Sequence, residues 1–328
     1  MNVSVTGADG LLGSNLVRRL LEEKHTVTVL VQKGRNSGTL EGLPLRVLYG
    51  DILDPLSLED LCRNADALIH AAASVRVWPS RSERSRMINI TGTQNMVNAA
   101  LKHSVSRFIY VGTANSFSPG TKEHPGNEQT PFICGKYGLD YIDSKYEAQK
   151  IVVNAWEQRG LPALTINPTF MIGPFDSTPS SGQILIGLYR GIIPGYTPGG
   201  KCFVHVRDVA DAIASALTRG RLGSSYIAGN ENLTYKEFFE LASGLLGVKP
   251  PSIPIPRAAA VFSGACASAV SLITRKPPKL SYPMARIACD GHYYDSSRAR
   301  EELGMESRSI ASAVEQSAAW MRDHHIME

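Results

Sequence analysis

The chain has 328 residues, with 43% hydrophobic and 20% charged side chains, which places it among ordinary globular proteins and excludes low-complexity or disordered classes. Its formal net charge of +4 is far from the basicity that nucleic-acid binding requires, so no nucleic-acid partner is expected. The five cysteines, Cys62, Cys134, Cys202, Cys266 and Cys289, are scattered without a CxxC pair, which argues against a disulfide framework or a zinc site and fits a reducing cytoplasm; no metal is expected.

In chain order, Val3 to Thr6 reads as a buried strand that begins the fold at once, leaving no room for a signal peptide. It runs into Thr6-Gly7-Ala8-Asp9-Gly10-Leu11-Leu12-Gly13, a GxxGxxG spacing, and then into a helix over Leu11 to Lys24. Gly7 suits a tight turn, Gly10 a close approach of backbone to a pyrophosphate, and Gly13 close packing of helix on strand. Between a strand and a helix this spacing predicts a dinucleotide site at Gly7, Gly10, Leu11 and Leu12. The next strand, Thr26 to Val31, ends without the carboxylate that holds a ribose 2′-hydroxyl in NAD-preferring proteins. Gln32, Lys33 and Arg35 stand there instead, and a cation there can pair with a 2′-phosphate, so NADP(H) is favoured with NAD(H) as the alternative. After a strand over Arg46 to Tyr49, Asp51 and Ile52 are placed to meet the adenine; the competing reading makes Asp51 the N-cap of a helix over Leu56 to Cys62.

A strand over Ala67 to His70 leads to Ala71, Ala72 and Ala73 and then to the run Arg76, Arg81, Arg84, Arg86, read as a solvated loop rather than an anion site. A helix follows over Met87 to His103, with Asn89 and Thr93 as cap and packing contacts, then a strand over Arg107 to Gly112. The helix Tyr141 to Arg159 opens with Tyr141-Ile142-Asp143-Ser144-Lys145. Four residues apart on a helix, the phenol and the ammonium share a face, and a nearby cation favours the phenolate that acid/base chemistry needs. A strand over Ala163 to Asn167 completes an alternating βα pattern, so the fold class is α/β: a Rossmann-type doubly wound parallel sheet over residues 1–168. Residues 169–328 form mainly a smaller C-terminal α/β substrate lobe, with some elements returning to the first domain. It carries helices over Asp208 to Arg219, Thr234 to Leu246 and Ile310 to Arg322. His205 reads as a hydrogen-bonded structural histidine, His70 as a packing residue, and Asp208 as a helix N-cap or first-turn acid. The uncharged stretch Ala258 to Thr274 falls short of the roughly 20 apolar residues of a membrane span, so it reads as a buried or interface helix and no span is expected.

TGADGLLG at 6–13, GDI at 50–52, HAAA at 70–73, NITGTQN at 89–95, YVGTANSF at 110–117, YIDSK at 141–145, NPTFMIGP at 167–174 and FVHVRDVA at 203–210 together resemble the extended short-chain dehydrogenase/reductase superfamily over nearly the whole chain. Within it the chain looks most like the dihydroflavonol-reductase-like and hopanoid-associated sugar-epimerase-like branch, in which Trp78-Pro79 and a Ser-Gly-rich loop at Pro179 to Gln183 also find counterparts. The resemblance implies that Tyr141 is the acid/base and that Lys145 holds the ribose hydroxyls and tunes the phenol. It further implies that Thr113, or alternatively Ser116, supplies the third hydroxyl, and that Pro168, Phe170 and Met171 border the nicotinamide amide. It implies a homodimer through the Met87 and Tyr141 helices. The reaction expected is NADPH-dependent reduction of a ketone or aldehyde, or oxidation of a secondary alcohol. The rivals are an NAD-dependent nucleotide-sugar epimerase or dehydratase, and a non-catalytic NADP-binding sensor or scaffold. Lys201 stands where the sugar-nucleotide enzymes often carry an arginine that grips the diphosphate, and a lysine lacks the bidentate fork.

Overall fold

A computed structural model describes residues 1–328. Its strands are β1 Asn2–Thr6, β2 Thr26–Val31, β3 Arg46–Tyr49, β4 Ala67–His70, β5 Arg107–Val111, β6 Ala163–Pro168, β7 Phe170–Ile172, β8 Gly195–Tyr196, β9 Gly200–His205, β10 Ser225–Ala228, β11 Glu231–Thr234, β12 Ile253–Pro254 and β13 Gly291–His292. The helices are α1 Leu11–Glu22, α2 Pro55–Cys62, α3 Glu83–Arg86, α4 Gly92–Lys102, α5 Asp140–Arg159, α6 Gln183–Tyr189, α7 Val206–Ser215, α8 Tyr235–Leu246, α9 Arg257–Thr274, α10 Tyr282–Cys289, α11 Ser297–Leu303 and α12 Ile310–Asp323. The helix expected over Met87 to His103 is two pieces in one run. Met87–Thr91 is a π-helical turn between α3 and α4.

Seven strands pair in the order β10-β6-β5-β4-β1-β2-β3, all in parallel. The period of two in the strands explains the two covered faces. Val3, Val5, Ile69, Ile109 and Val111 point into one core with α1, α7 and α11. Leu68, Phe108 and Tyr110 point into a second core with α2, α4 and α5. The seventh strand, β10, and the helices α7 and α11 come from beyond residue 168, so the later half of the chain closes the sheet begun by the first. A third core joins α6, α8 and α12 to β7 and β9, where Phe203 stacks on Phe238 with ring centroids 4.1 Å apart.

The strand order reverses between β1 and β4, the point at which a doubly wound sheet opens a crevice at the carboxyl ends of its strands. Two structural readings need refinement. The arginine run is exposed as expected, but not free: Arg81, with its side chain 63% exposed, pairs with Asp140 and Asp143, and Arg86 with Glu147, so the loop after β4 is clamped to α5. The stretch Ala258 to Thr274 is a helix but not a buried one, since only Ala260, Gly264 and Ser271 of α9 are covered.

Candidate active site

The turn after β1 is shaped by clearance. Gly7 has φ +75°, and a Cβ there would lie 2.6 Å from the Ala72 nitrogen and 2.8 Å from the Ala71 carbonyl carbon. At Gly13 a Cβ would lie 2.0 Å from the Gly7 oxygen, so α1 can start this close to the turn only without a side chain. Around Gly10 the nearest atom is 3.6 Å away, which leaves that side of the turn open. Gly10 is the N-cap of α1 and offers no capping side chain, so the first amide groups at Leu11 and Leu12 face the crevice without an internal acceptor. This bare positive helix end beside an open glycine fits a dinucleotide pyrophosphate.

Further along the crevice, Gln32 Nε2 donates to Asp51 Oδ2 at 3.0 Å, and Arg35 Nε donates to Asp9 Oδ2 at 3.1 Å. Lys33 is exposed and makes no ion pair. Asp51 does not cap α2; Asp54 does, accepting from the Leu56 amide, while Asp51 Oδ1 accepts from Leu53 N–H at 2.9 Å. Ile52 lies beside Gly92, where a Cβ would meet its Cδ1 at 2.6 Å. On the β4 side, the Ala71 and Ala72 amides bond to the oxygen and hydroxyl of Thr6, and Ala73 follows them at the crevice edge. Pro168 ends β6, and Phe170 and Met171 in β7 are half-buried facing β9.

His70 is enclosed: Nδ1 meets Thr6 Oγ1 at 2.8 Å and Nε2 meets Thr93 Oγ1 at 3.1 Å. Thr93 donates its own proton to the Asn89 carbonyl at 2.6 Å, so Nε2–H must be the donor and the ring is neutral. Burial, with Lys145 a smaller influence, pushes its pKa down to about 3. Asn89 in turn holds Ser74 and donates to Ser144 Oγ at 2.8 Å, tying the β4 loop to α5. His205 has the capping role, its Nδ1 accepting from Arg207 N–H at 3.1 Å, and Asp208 is the first-turn acid held by Arg308. The same Arg308 guanidinium also bonds to Asp211 and Glu306, the carboxylates grouped with Asp208.

Tyr141 and Lys145 lie in the first turns of α5, over the end of β5. Burial raises the Tyr141 phenol above its ordinary value, and the Thr113 hydroxyl is the polar neighbour that pulls it back. The two do not close into a hydrogen bond of standard geometry. Thr113 Oγ1 accepts instead from the Asn115 amide at 3.3 Å and from its Nδ2 at 3.4 Å. Lys145 is buried, donates to the Val111 carbonyl at 2.6 Å and lies over the Tyr110 ring at 4.4 Å. Its ammonium is thus directed at backbone and ring rather than at the Tyr141 oxygen, and burial brings its pKa down to about 7. Ser116 is buried with no hydrogen-bond partner.

Sequence patterns did not reveal the opposite wall. Tyr137 donates to Asp290 Oδ2 at 2.6 Å and meets His292 Nε2 at 3.2 Å, while His292 Nδ1 meets Asn115 Oδ1 at 3.0 Å. Lys201 Nζ lies over the Phe170 ring at 5.3 Å, and burial draws its pKa down to about 8. Asn115 and His292 are 177 positions apart in the chain, and no local spacing marks Tyr137, Asp290 or His292; Lys201 alone of this wall stands out in the sequence.

Residues 3–229 match the NAD dependent epimerase/dehydratase family. The chain belongs to that family. It is therefore an NAD(P)-dependent enzyme of the extended short-chain dehydrogenase/reductase type, as its motifs imply. A Synechocystis sp. protein named "Putative dihydroflavonol 4-reductase" is 29% identical over 98% of this chain and 94% of its own. "Sterol demethylase protein B" of Methylococcus capsulatus is 28% identical over 98% of this chain and 99% of its own. Among solved structures, that of gox2253 superposes with a TM-score of 0.88 at 30% identity, covering 99% of both chains. The dTDP-glucose 4,6-dehydratase DesIV of Streptomyces venezuelae, solved with NAD and TYD bound, has a TM-score of 0.79 at 22% identity, covers 99% of this chain and 98% of its own, and shows the shared fold. Relatives named as reductases and as sugar dehydratases thus use this one family framework.

Proposed function

We propose that this family member is an NADPH-dependent reductase of a ketone or aldehyde, working in the cytoplasm and reversibly on the corresponding secondary alcohol. The observation that carries the reading is the end of β2, where the chain supplies no carboxylate of its own and Lys33 is exposed and unpaired, with the exposed Arg35 guanidinium beside it held by Asp9. A 2′-phosphate gains charge-assisted hydrogen bonds there, whereas a 2′-hydroxyl finds no carboxylate acceptor in the strand-end residues. Gly7, Gly10, Leu11 and Leu12 would hold the pyrophosphate, Asp51 and Ile52 the adenine side, and Ala71 to Ala73 the crevice wall. Lys145 would meet the ribose, and Pro168, Phe170 and Met171 the nicotinamide end. When bound, the dinucleotide supplies the hydride.

The residues of the chain handle the oxygen. Thr113 donates a hydrogen bond to the substrate oxygen and stabilises charge as it develops. Tyr141 delivers its proton to the same oxygen, with the Thr113 hydroxyl as its polar neighbour. Lys201, lacking the fork of an arginine, grips a diphosphate less well, which weighs against the sugar-nucleotide reading. We further propose a homodimer built through the helices that contain Met87 and Tyr141.

Turnover with NADPH and NADH, each against panels of carbonyl compounds and nucleotide sugars, tests the reaction class. Consumption of NADPH in proportion to carbonyl reduced is expected. Interconversion of a nucleotide sugar with no net cofactor consumed refutes it. Tyr141→Phe should lower kcat/KM by about 10²–10⁴-fold with the dinucleotide Kd unchanged. An unchanged kcat/KM in that variant would remove Tyr141 from the proton transfer, whereas NADPH binding without turnover of any compound in the panels would leave the binding-protein reading.

A further inference from the structure

The helix α9 turns its apolar side outward. Phe262 is 73% exposed, Val270 57%, Leu272 76% and Ile273 85%. Phe262, Ala269, Leu272 and Ile273 recur at helical spacing, and Ala258, Ala265 and Cys266 extend the same uncharged, exposed surface. The opposite side is committed to the protein. Ala260, Gly264 and Ser271 are buried, and a Cβ on Gly264 would lie 2.7 Å from the Ala285 Cβ of α10. Exposed apolar side chains elsewhere, such as Leu56 and Val75, are scattered, whereas those of α9 are gathered on one helix face, and a contiguous patch of that kind marks an interaction surface.

The charge around the patch indicates what covers it. Between Glu240 and Asp290 the sequence has no carboxylate but six cations, Lys249, Arg257, Arg275, Lys276, Lys279 and Arg286. Arg257, at the start of α9, pairs with Asp290, whereas Arg275, Lys276 and Lys279 just beyond its end are exposed and form no ion pair. Unpaired cations bordering an apolar face complement the negative charge of anionic lipid headgroups. A helix with one face packed on α10 cannot cross a bilayer, but it can lie in the interface with its other face among the acyl chains.

We propose that α9 seats the protein on a membrane surface carrying anionic lipid, with the Phe262, Leu272 and Ile273 side chains inserted and Arg275, Lys276 and Lys279 on the headgroups. The placement has a consequence for the reaction site. Met284 and Ile287 of α10, the helix directly beneath α9, pack with Tyr137, Tyr141 and Ile142. Docking therefore brings the reaction site to within one helical layer of the bilayer, whatever substrate it takes.

Flotation of the full-length chain with vesicles of phosphatidylcholine alone, or mixed with phosphatidylglycerol, tests the proposal. The chain should float with the mixed vesicles and not with phosphatidylcholine alone. The triple variant Phe262→Ser, Leu272→Ser, Ile273→Ser should stay in the dense fraction with its Tm unchanged. The triple variant Arg275→Glu, Lys276→Glu, Lys279→Glu should bind on the order of a hundredfold more weakly or worse. Cys266 is the one exposed cysteine, so an environment-sensitive fluorophore there reads insertion in the otherwise unaltered chain, and its emission should shift to the blue with the mixed vesicles. Absence of flotation and of that shift overturns the proposal. So does flotation that survives the serine variant, or a self-association that the serine variant abolishes in a chain that does not float.

Discussion

Replacing Gly7 with alanine isolates the physical basis of the cofactor turn, because Gly160 provides a matched control. Both are left-handed, at φ +75° and φ +69°. An L side chain in that conformation costs about 1–2 kcal/mol at either position. At Gly160 nothing lies within 4 Å of an added Cβ, so the conformational cost is the whole cost. At Gly7 the new methyl meets the backbone of Ala71 and Ala72 at 2.6–2.8 Å, and backbone in a central sheet yields less readily than a flexible side chain. Overpacking of this kind adds about 1–3 kcal/mol. Gly7→Ala should therefore destabilise by about 2–5 kcal/mol, a fall of roughly 3–7 °C in Tm, against about 1–3 °C for Gly160→Ala. Calorimetry of the two variants measures the difference, and titration with NADPH should show weakened binding for Gly7→Ala alone. Equal melting points and equal affinities would refute the claim that clearance at the β1 turn requires glycine there.

The third hydroxyl can be assigned by substitution. Thr113→Ala should lower kcat by about 10²–10³-fold, the scale of losing one donor to a developing oxyanion, while Ser116→Ala should leave it near wild type; the reverse ranking would move the role to Ser116. Lys33→Asp should reduce the preference for NADPH over NADH by about tenfold or more, the scale of one charge-assisted hydrogen bond, and an unchanged ratio of Kd values would remove Lys33 from cofactor choice. For Lys145 the folded pKa of about 7 lies below the unfolded value, so between pH 7 and the unfolded pKa the unfolded chain binds more protons. Stability from this group rises with pH across that window, by at most ~1.4 kcal/mol per pH unit, and is constant below it. Lys145→Met should consequently show a flatter rise of unfolding free energy above pH 7 than the parent chain, and identical slopes would mean that the lysine is not buried as described.

Local pattern was enough for much of this protein. A run of β-branched residues followed by Gly7, Gly10 and Gly13 and an amphipathic helix specifies a strand, a turn and a helix through interactions among near neighbours, so the cofactor turn was legible from residues 2–24. The spacing of Tyr141 and Lys145 likewise needed only one helix to place both on one face. What depends on distant partners was not legible. Arg81 and Arg86 read as a solvated run, and only the fold brings their partners Asp140, Asp143 and Glu147 within reach from α5. Asp51, placed at the adenine with helix capping as the competing reading, lost that competing role when Asp54 proved to be the cap. Tyr137, His292 and Asn115 meet, and Lys201 comes over Phe170, only because segments from both halves of the chain converge at one end of the sheet. The apolar sequence of α9 is compatible with a core, an interface or a membrane surface, since hydrophobicity sets the tendency to leave water but not what replaces it. Only the packing, which buries Ala260, Gly264 and Ser271 and turns Phe262, Leu272 and Ile273 outward, decided between them.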